Sequence, residues 1–156
     1  ELLMNVVLFG TVMISSIVAL KHFGSKVDRK VLNRKAMSSV VQRMSVEQFG
    51  KILQGESRSS CQIIDVRETL ELQKVRIPGA DIIHLPLSDS NSWSQKVLTG
   101  SLLDPEKPTL CLCHHGVRSM QVASFLVSKA EFDHVWNVEG GIDAYAEQVD
   151  PSIGFY

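Results

Sequence analysis

Residues 109–130, TLCLCHHGVRSMQVASFLVSKA, form the stretch that decides the fold. Its first part, residues 109–113, is a short and almost entirely apolar run, which is typical of a buried strand. In residues 119–130 the apolar side chains share one broad helical face, namely Met120, Val122, Ala123, Phe125, Leu126 and Val127. The stretch therefore predicts a strand, a short loop and a helix in direct succession.

The same alternation of strands and helices extends in both directions from this stretch. Apolar runs predict further strands at residues 61–66, 81–85 and 134–138. Helices are predicted at residues 45–53, 68–75 and 88–98 and after residue 141. Ser45 and Gln48 form a capping-box pattern at the start of the first helix. This alternation predicts an α/β domain whose parallel sheet is covered by helices on both faces, with the functional site at the carboxyl ends of the strands.

Cys113 stands where the predicted strand gives way to the helix, a position that favours a reactive thiolate. In such a turn the N–H groups of the loop and of the helix N-terminus point toward the sulfur, and Arg118 adds a positive charge. Gly116 allows the backbone to turn tightly. We expect Cys113 to be a nucleophile and Arg118 an anion binder. The alternatives are a structural cysteine at a strand end and a structural ion pair.

Four motifs in this order resemble the rhodanese family, and the resemblance covers residues 44–156. The motifs are IIDVRE at residues 63–68, IPGA at 77–80, CHHGVRS at 113–119 and EGGIDAY at 139–145. The resemblance implies a rhodanese-like parallel sheet of five strands with helices on both faces. It also implies a sulfurtransferase that works without a cofactor.

The implied reaction takes a sulfane sulfur from a small donor such as thiosulfate and passes it to a thiophilic acceptor through a persulfide on Cys113. Arg118 would bind the anionic donor. The rest of the segment would hold the persulfide, namely His114, His115, Gly116, Val117 and Ser119. Four residues separate Cys113 from Arg118, as in the sulfurtransferases of the family. The related phosphatases have a loop one residue longer, so the loop length disfavours phosphatase activity.

Residues outside the loop give less specific signals. Asp65 and Arg67 end a central strand, and we expect them either to support the loop or to form a plain ion pair. Val75-Arg76 stands where many members of the family have Gly-His, which weakens the prediction of substrate positioning there. The segment 154–156 also departs from the family pattern and has no interpretation at this point.

We expect no metal site. Cys113, His114 and His115 are consecutive and cannot easily surround one tetrahedral ion, and no second group of cysteines or histidines lies nearby in the sequence. One of the two histidines is expected to line the pocket and to tune its charge.

The N-terminal part of the chain has a different composition. Residues 2–20 carry no charge and predict a transmembrane helix, assigned to residues 1–20, that contacts membrane lipid. A helix buried against protein partners is the alternative. Residues 21–43 form a basic linker with a net charge of +6, whereas the rhodanese-like domain at residues 44–156 has a net charge of −6. Positive residues beside the apolar run place this domain on the cytoplasmic or stromal side of a membrane crossed once.

The acidic domain argues against nucleic acid as a partner, because binding to phosphates requires a positive surface. Residues 150–153, DPSI, are similar to single-domain rhodaneses of cyanobacteria and plastids, which implies a plastid thylakoid or another organelle membrane. Two functions stay open. One is a membrane-tethered sulfurtransferase, and the other is a non-catalytic rhodanese-fold binding module or structural subunit with membrane-protein partners.

Overall fold

A parallel five-stranded sheet forms the centre of the computed structural model, which describes residues 40–156. The strands are β1 (Gln42–Met44), β2 (Gln62–Asp65), β3 (Ile83–His84), β4 (Thr109–Leu112) and β5 (Val135–Val138). They lie in the order β1-β5-β4-β2-β3, and each neighbouring pair is parallel. The predicted α/β fold with a parallel sheet of five strands is confirmed.

Five α-helices lie between and after these strands in residues 40–156. They are α1 (Val46–Gln54), α2 (Thr69–Lys74), α3 (Ser90–Leu98), α4 (Val117–Lys129) and α5 (Gly141–Gln148). Short 3-10 helices occupy Glu56–Ser60, Leu87–Asp89 and Pro151–Ile153. The predicted capping box is present, since the Gln48 N–H donates to the Ser45 hydroxyl at 3.3 Å and the Ser45 N–H donates to the Gln48 side chain at 3.1 Å.

The two faces of the sheet bury separate hydrophobic clusters, because successive residues of a strand point to opposite faces. One cluster joins strand residues to α4, and its members include Ile64, Cys111, Cys113, Val122, Ala123 and Leu126. The other joins strand residues to α1 and α5, and its members include Ile63, Leu110, Leu112, Phe49, Ile142 and Tyr145. Helices therefore cover both faces, and Cys113 begins its loop from a packed layer.

Two predicted boundaries need correction. The linker predicted at residues 21–43 ends earlier, because Gln42 and Arg43 belong to β1 and pair with Trp136 and Asn137 of β5. Helix α4 starts at Val117, two residues before the predicted start, because the loop already ends at Gly116 in a left-handed conformation.

The predicted transmembrane helix at residues 1–20, with its lipid contact at residues 2–20, and most of the basic linker lie outside the described residues. Within residues 40–156, no helix is long and apolar enough to cross a bilayer.

Candidate active site

Cys113 follows β4 directly at the carboxyl edge of the sheet, and only 1% of its surface is exposed. Two donors meet its sulfur. The Gly116 N–H nitrogen lies 3.1 Å from Sγ, and the Ser119 hydroxyl oxygen lies 3.2 Å from it. Hydrogen-bond donors placed around a sulfur favour its anionic form. The arrangement therefore suits a thiolate nucleophile.

The loop between β4 and α4 closes against the start of α5. The N–H groups of Ile142 and Asp143 donate to the carbonyl oxygens of Cys113 and His114, at 2.9 and 3.1 Å. A Cβ atom on Gly141 would lie 2.4 Å from the Cys113 carbonyl oxygen and 2.2 Å from that of His114, and its φ is +63°. Only a residue without a side chain fits this contact. The backbone of α5 thus fixes the loop beside the sulfur.

Gly116 places its N–H toward the sulfur through a left-handed φ of +87°. Its carbonyl oxygen accepts a hydrogen bond from Nδ2 of Asn137 at 3.0 Å, and Asn137 is only 3% exposed. A Cβ atom on Gly116 would approach the Val138 carbonyl oxygen to 3.0 Å. Residues Asn137 and Val138 of strand β5 therefore hold the turn at Gly116.

Arg118 makes a two-pronged ion pair with Glu71 of α2. Both pairs of nitrogen and oxygen atoms are 2.6 Å apart. The hydrogen bonds from Arg118 lower the pKa of Glu71 to about 2, and those to Glu71 raise the pKa of Arg118. The Cys113 thiolate also contributes to the raised pKa of Arg118, so the guanidinium lies within electrostatic reach of the sulfur. Its hydrogen bonds in this structure go to Glu71.

Tyr156 connects Glu71 to a buried ion pair. Its hydroxyl donates to Oε1 of Glu71 at 2.8 Å and accepts from Nη1 of Arg67 at 3.3 Å. Arg67 and Asp65 are 1% and 2% exposed, and their closest nitrogen and oxygen atoms are 2.7 Å apart. We call Asp65, Arg67, Glu71, Arg118 and Tyr156 the tyrosine network.

Burial sets the ionisation of Tyr156 within this network. Burial and the Glu71 carboxylate, against the opposing effect of Arg67, together raise the pKa of Tyr156 to about 12. The phenol is therefore neutral at neutral pH and can donate to the carboxylate. Burial disfavours the charge of Arg67, but the Asp65 carboxylate outweighs burial and raises the pKa of Arg67.

The two histidines of the loop stack on one another and on Tyr156. The His114 ring centroid lies 3.8 Å from that of His115 and 4.2 Å from that of Tyr156. Asp143 faces both imidazoles, at 3.9 Å from Nε2 of His114 and 3.7 Å from Nε2 of His115. Burial and the neighbouring His115 lower the pKa of His114, so its imidazole is neutral at neutral pH.

An open groove of about 400 Å³ runs beside the loop and the start of α4. Val117 lines this groove and is 68% exposed. An ion pair of 2.8 Å between Arg43 and Glu139 borders it, and His115 also reaches it. The groove offers a second molecule a way to the loop from solvent.

The predicted site residues fall into three groups. Gly116 and Ser119 contact the Cys113 sulfur, whereas Arg118, Asp65 and Arg67 belong to the tyrosine network. In the third group His115 and Val117 are exposed, and His114 is partly buried between His115 and Tyr156. The prediction for Asp65 and Arg67 left support and a plain ion pair open. The structure shows an ion pair that reaches Arg118 only through Tyr156 and Glu71.

Sequence reasoning missed four residues of the site, namely Glu71, Asn137, Asp143 and Tyr156. Asp143 lies inside the EGGIDAY motif, and Tyr156 belongs to the segment 154–156 that departs from the family pattern, so both positions carried a signal. Glu71 and Asn137 carried none, because nothing in a helix or strand pattern identifies the partner of a polar side chain.

Comparison with known proteins shows which family the domain resembles. Residues 45–148 match the model of the rhodanese-like domain. A chloroplastic protein of Arabidopsis thaliana with rhodanese-like and PpiC domains is 45% identical over 95 residues, which are 61% of this chain and 30% of that protein. A probable adenylyltransferase/sulfurtransferase of Mycobacterium tuberculosis is 33% identical over 94 residues, which are 60% of this chain and 22% of that protein. The chain thus spans less than a third of the length of these relatives.

A solved structure shows the same fold in a separate molecule. The crystal structure of a rhodanese-related protein from Thermoplasma volcanium superposes with a TM-score of 0.54 at 26% identity. The superposition covers 69% of this chain and 93% of that one. The family model matches two thirds of the sequence, and the chain belongs to the rhodanese-like family.

Proposed function

We propose that this chain is a sulfurtransferase that carries a sulfane sulfur on Cys113. The observation that carries the proposal is the contact of the Cys113 sulfur with the Gly116 N–H at 3.1 Å and with the Ser119 hydroxyl at 3.2 Å. The chain is also homologous to a relative named as a probable adenylyltransferase/sulfurtransferase. Donors of this kind stabilise both the attacking thiolate and the terminal sulfur of a persulfide.

The reaction has two steps, here with thiosulfate as donor. The Cys113 thiolate attacks the outer sulfur of thiosulfate, a new S–S bond forms, and the S–S bond of thiosulfate breaks as sulfite leaves with the electron pair. A thiophilic acceptor such as cyanide or a thiolate then attacks the outer sulfur of the persulfide and regenerates the Cys113 thiolate. No net oxidation occurs in either step, and no cofactor is needed.

Arg118 supplies positive charge to the anionic donor while Glu71 remains its ion-pair partner. The guanidinium has five N–H donors, and the pair with Glu71 uses Nη1 and Nη2. The Arg118 side chain is 29% exposed, so we expect a small anion to reach its remaining donors. Arg118 thus binds the donor beside the ion pair, without displacement of Glu71.

The test is the intact mass of the full chain after incubation with thiosulfate, beside the Cys113→Ser variant. The full chain is required, because a truncation at residue 44 would remove most of strand β1. We expect a gain of about 32 Da, one sulfur atom, in the parent and no gain in the variant. The Cys111→Ser variant is the matched control, since Cys111 is fully buried in β4 and should leave the gain intact.

A non-catalytic binding module is the second candidate, and one observation favours it. Cys113 is 1% exposed and Arg118 already has a carboxylate partner, so a donor must enter a site that is closed in this structure. A folded chain with a reduced Cys113 that gains no mass with thiosulfate, with a polysulfide or with a persulfide donor would support this second function and reject the first.

We also propose that the domain is held at a plastid membrane, with its donor and acceptor in the stroma or an equivalent compartment. The proposal rests on the uncharged residues 2–20, on the basic residues 21–43 and on the chloroplastic relative. Expression of the chain with a fluorescent tag and extraction of the membranes at alkaline pH tests it. The protein should remain in the pellet, and deletion of residues 2–20 should release it.

A further inference from the structure

Three side chains at the outer edge of the loop lie close together. One imidazole nitrogen each from His114 and His115 and one Asp143 carboxylate oxygen lie within 4.8 Å of one another. Within residues 40–156, no hydrogen bond engages any of these three side chains, and their polar contacts are those among themselves. The three donor groups are thus available to a ligand.

Backbone hydrogen bonds fix the loop that carries His114 and His115 against helix α5, which carries Asp143. The Asp143 N–H donates to the His114 carbonyl oxygen at 3.1 Å, so helix α5 and the loop are joined at this point. The His114 ring lies between the rings of His115 and Tyr156, which restricts its rotation. A ligand that binds here therefore meets a site whose two chain segments are already in place.

The donor set defines the class of ligand. Two imidazoles and one carboxylate are ligands that zinc and similar divalent transition metals prefer. A tetrahedral Zn²⁺ with bonds of about 2.0–2.1 Å holds its ligand atoms roughly 3.3 Å apart. The observed separations of 3.7 and 3.9 Å from the carboxylate exceed this value by less than 1 Å. To aim its nitrogen at a shared ion, His115 must also turn away from its stack on His114, and its side chain is 61% exposed.

We propose that His114, His115 and Asp143 bind a divalent transition-metal ion of the zinc class at the edge of the Cys113 loop. Water occupies the fourth position, because the side chains of His115 and Asp143 are 61% and 43% exposed. The prediction of no metal site considered only neighbours in the sequence. Asp143 comes from α5, so it lay outside that reasoning.

The bound ion has a consequence that rests on the proposed sulfur transfer. His114 and His115 are the two residues between Cys113 and Gly116, the donor to its sulfur. An ion that ties them to α5 restrains the loop through which a donor must reach Cys113. We therefore expect the metal to slow persulfide formation. Cys113 is not one of its ligands, so the thiol can still react.

Titration of the metal-free full chain with Zn²⁺, against a competing chromophoric chelator, tests the site. We expect one ion per chain, and a loss of affinity of at least about tenfold in both His115→Ala and Asp143→Asn. These variants leave the His114 stack on Tyr156 and the backbone bond from Asp143 in place, and their thermal unfolding should resemble that of the parent. His134→Ala changes a histidine that lies outside this cluster and is the matched control.

The Cys113→Ser variant separates this site from simple binding of zinc to the thiol. Retained affinity in Cys113→Ser supports the proposal. Loss of binding in Cys113→Ser, together with unchanged binding in Asp143→Asn, overturns it, and so does the absence of stoichiometric binding to the parent. The mass gain with thiosulfate is measured on the metal-free protein, so failure of the metal site and failure of sulfur transfer are separate outcomes.

Discussion

Two parts of the active site differ in how far apart in the chain their members lie. In the cysteine loop, the donors to the Cys113 sulfur come from Gly116 and Ser119, three and six residues away. In the tyrosine network, the hydroxyl of Tyr156 reaches Glu71 across 85 residues and Arg67 across 89. The sulfur donors of the first part come from one local turn, which α5 and β5 hold in place, whereas every link of Tyr156 in the second part needs the completed fold. Substitutions in the two parts should therefore have different effects.

The largest effect is expected at the contact that fixes the cysteine loop. In Gly141→Ala the new Cβ atom would lie 2.2 Å from a backbone oxygen, and the backbone cannot move aside as a flexible side chain would. We expect a loss of about 3 kcal/mol or more in the free energy of unfolding. Urea denaturation of the full chain measures this loss.

Gly79→Ala provides the matched control for this strain. Gly79 has a φ of +68°, close to the +63° of Gly141, but nothing lies within 4 Å of its Cβ position. The left-handed conformation alone should cost about 1–2 kcal/mol. Equal losses in the two variants would show that the conformation of Gly141 matters and that its contact with the loop does not.

This local character explains why the cysteine loop was predictable from the sequence. A strand, a short loop and a helix in direct succession place Gly116 close to Cys113 in the chain, and the resemblance to the family added the five-stranded sheet. Strand β1 was missed because Gln42 and Arg43 are polar edge residues that follow a basic run, and only pairing with β5 makes them a strand.

The tyrosine network should lose stability when its central hydroxyl is removed. Tyr156→Phe keeps the ring stacked on His114 but deletes the hydrogen bonds with Glu71 and Arg67. Because Arg67 is buried, the loss should be about 1–3 kcal/mol. Tyr145→Phe is the control, since the Tyr145 hydroxyl makes no hydrogen bond within residues 40–156.

The same variant sharpens the contrast between the two parts. Tyr156 makes no hydrogen bond to Cys113, so the rate at which iodoacetamide alkylates Cys113 should stay unchanged while the urea midpoint falls. A changed alkylation rate with an unchanged midpoint would instead show that the network controls the sulfur and contributes little to the fold.

Ser119→Ala tests the cysteine loop directly and should have a smaller effect. The variant removes the hydroxyl that donates to the sulfur at 3.2 Å. Loss of one such bond corresponds to about 1 kcal/mol, or roughly a fivefold slower persulfide formation at neutral pH. Ser124→Ala is the control, because that hydroxyl donates to the Met120 carbonyl oxygen on the same helix. An equal decrease in both variants would contradict a specific role for Ser119.

The sequence named Asp65, Arg67 and Arg118 of the tyrosine network as candidate residues, but it could not predict their contacts, because these follow from packing. Glu71 carries the pattern of any acidic residue in a first helical turn, and only the fold brings it to Arg118. Asp143 lies in the EGGIDAY motif, and Tyr156 lies in the segment 154–156 that departs from the family pattern. Neither feature identifies the side chain that the residue contacts. The histidine and aspartate cluster was missed for the same reason.

The smallest effect is expected from the pH dependence of the ion pair between Glu71 and Arg118. Arg118 lowers the pKa of Glu71 from 4.5 to about 2, so the folded state binds a proton on this carboxylate less readily than the unfolded chain. The stabilisation is therefore complete above about pH 4.5 and is lost as the pH falls toward 2. Both side chains are partly exposed, which limits the contribution to about 1 kcal/mol or less.

Urea midpoints of the parent and of Glu71→Gln, measured from pH 7 down to acid, isolate this contribution. The parent should be the more stable of the two at pH 7, and the difference should shrink below pH 4.5, the usual pKa of this carboxyl. Glu147→Gln, a change at an exposed position of α5, should show no such convergence. A constant difference between the parent and Glu71→Gln at every pH would mean that Glu71 stabilises the fold through its hydrogen bonds and not through its charge.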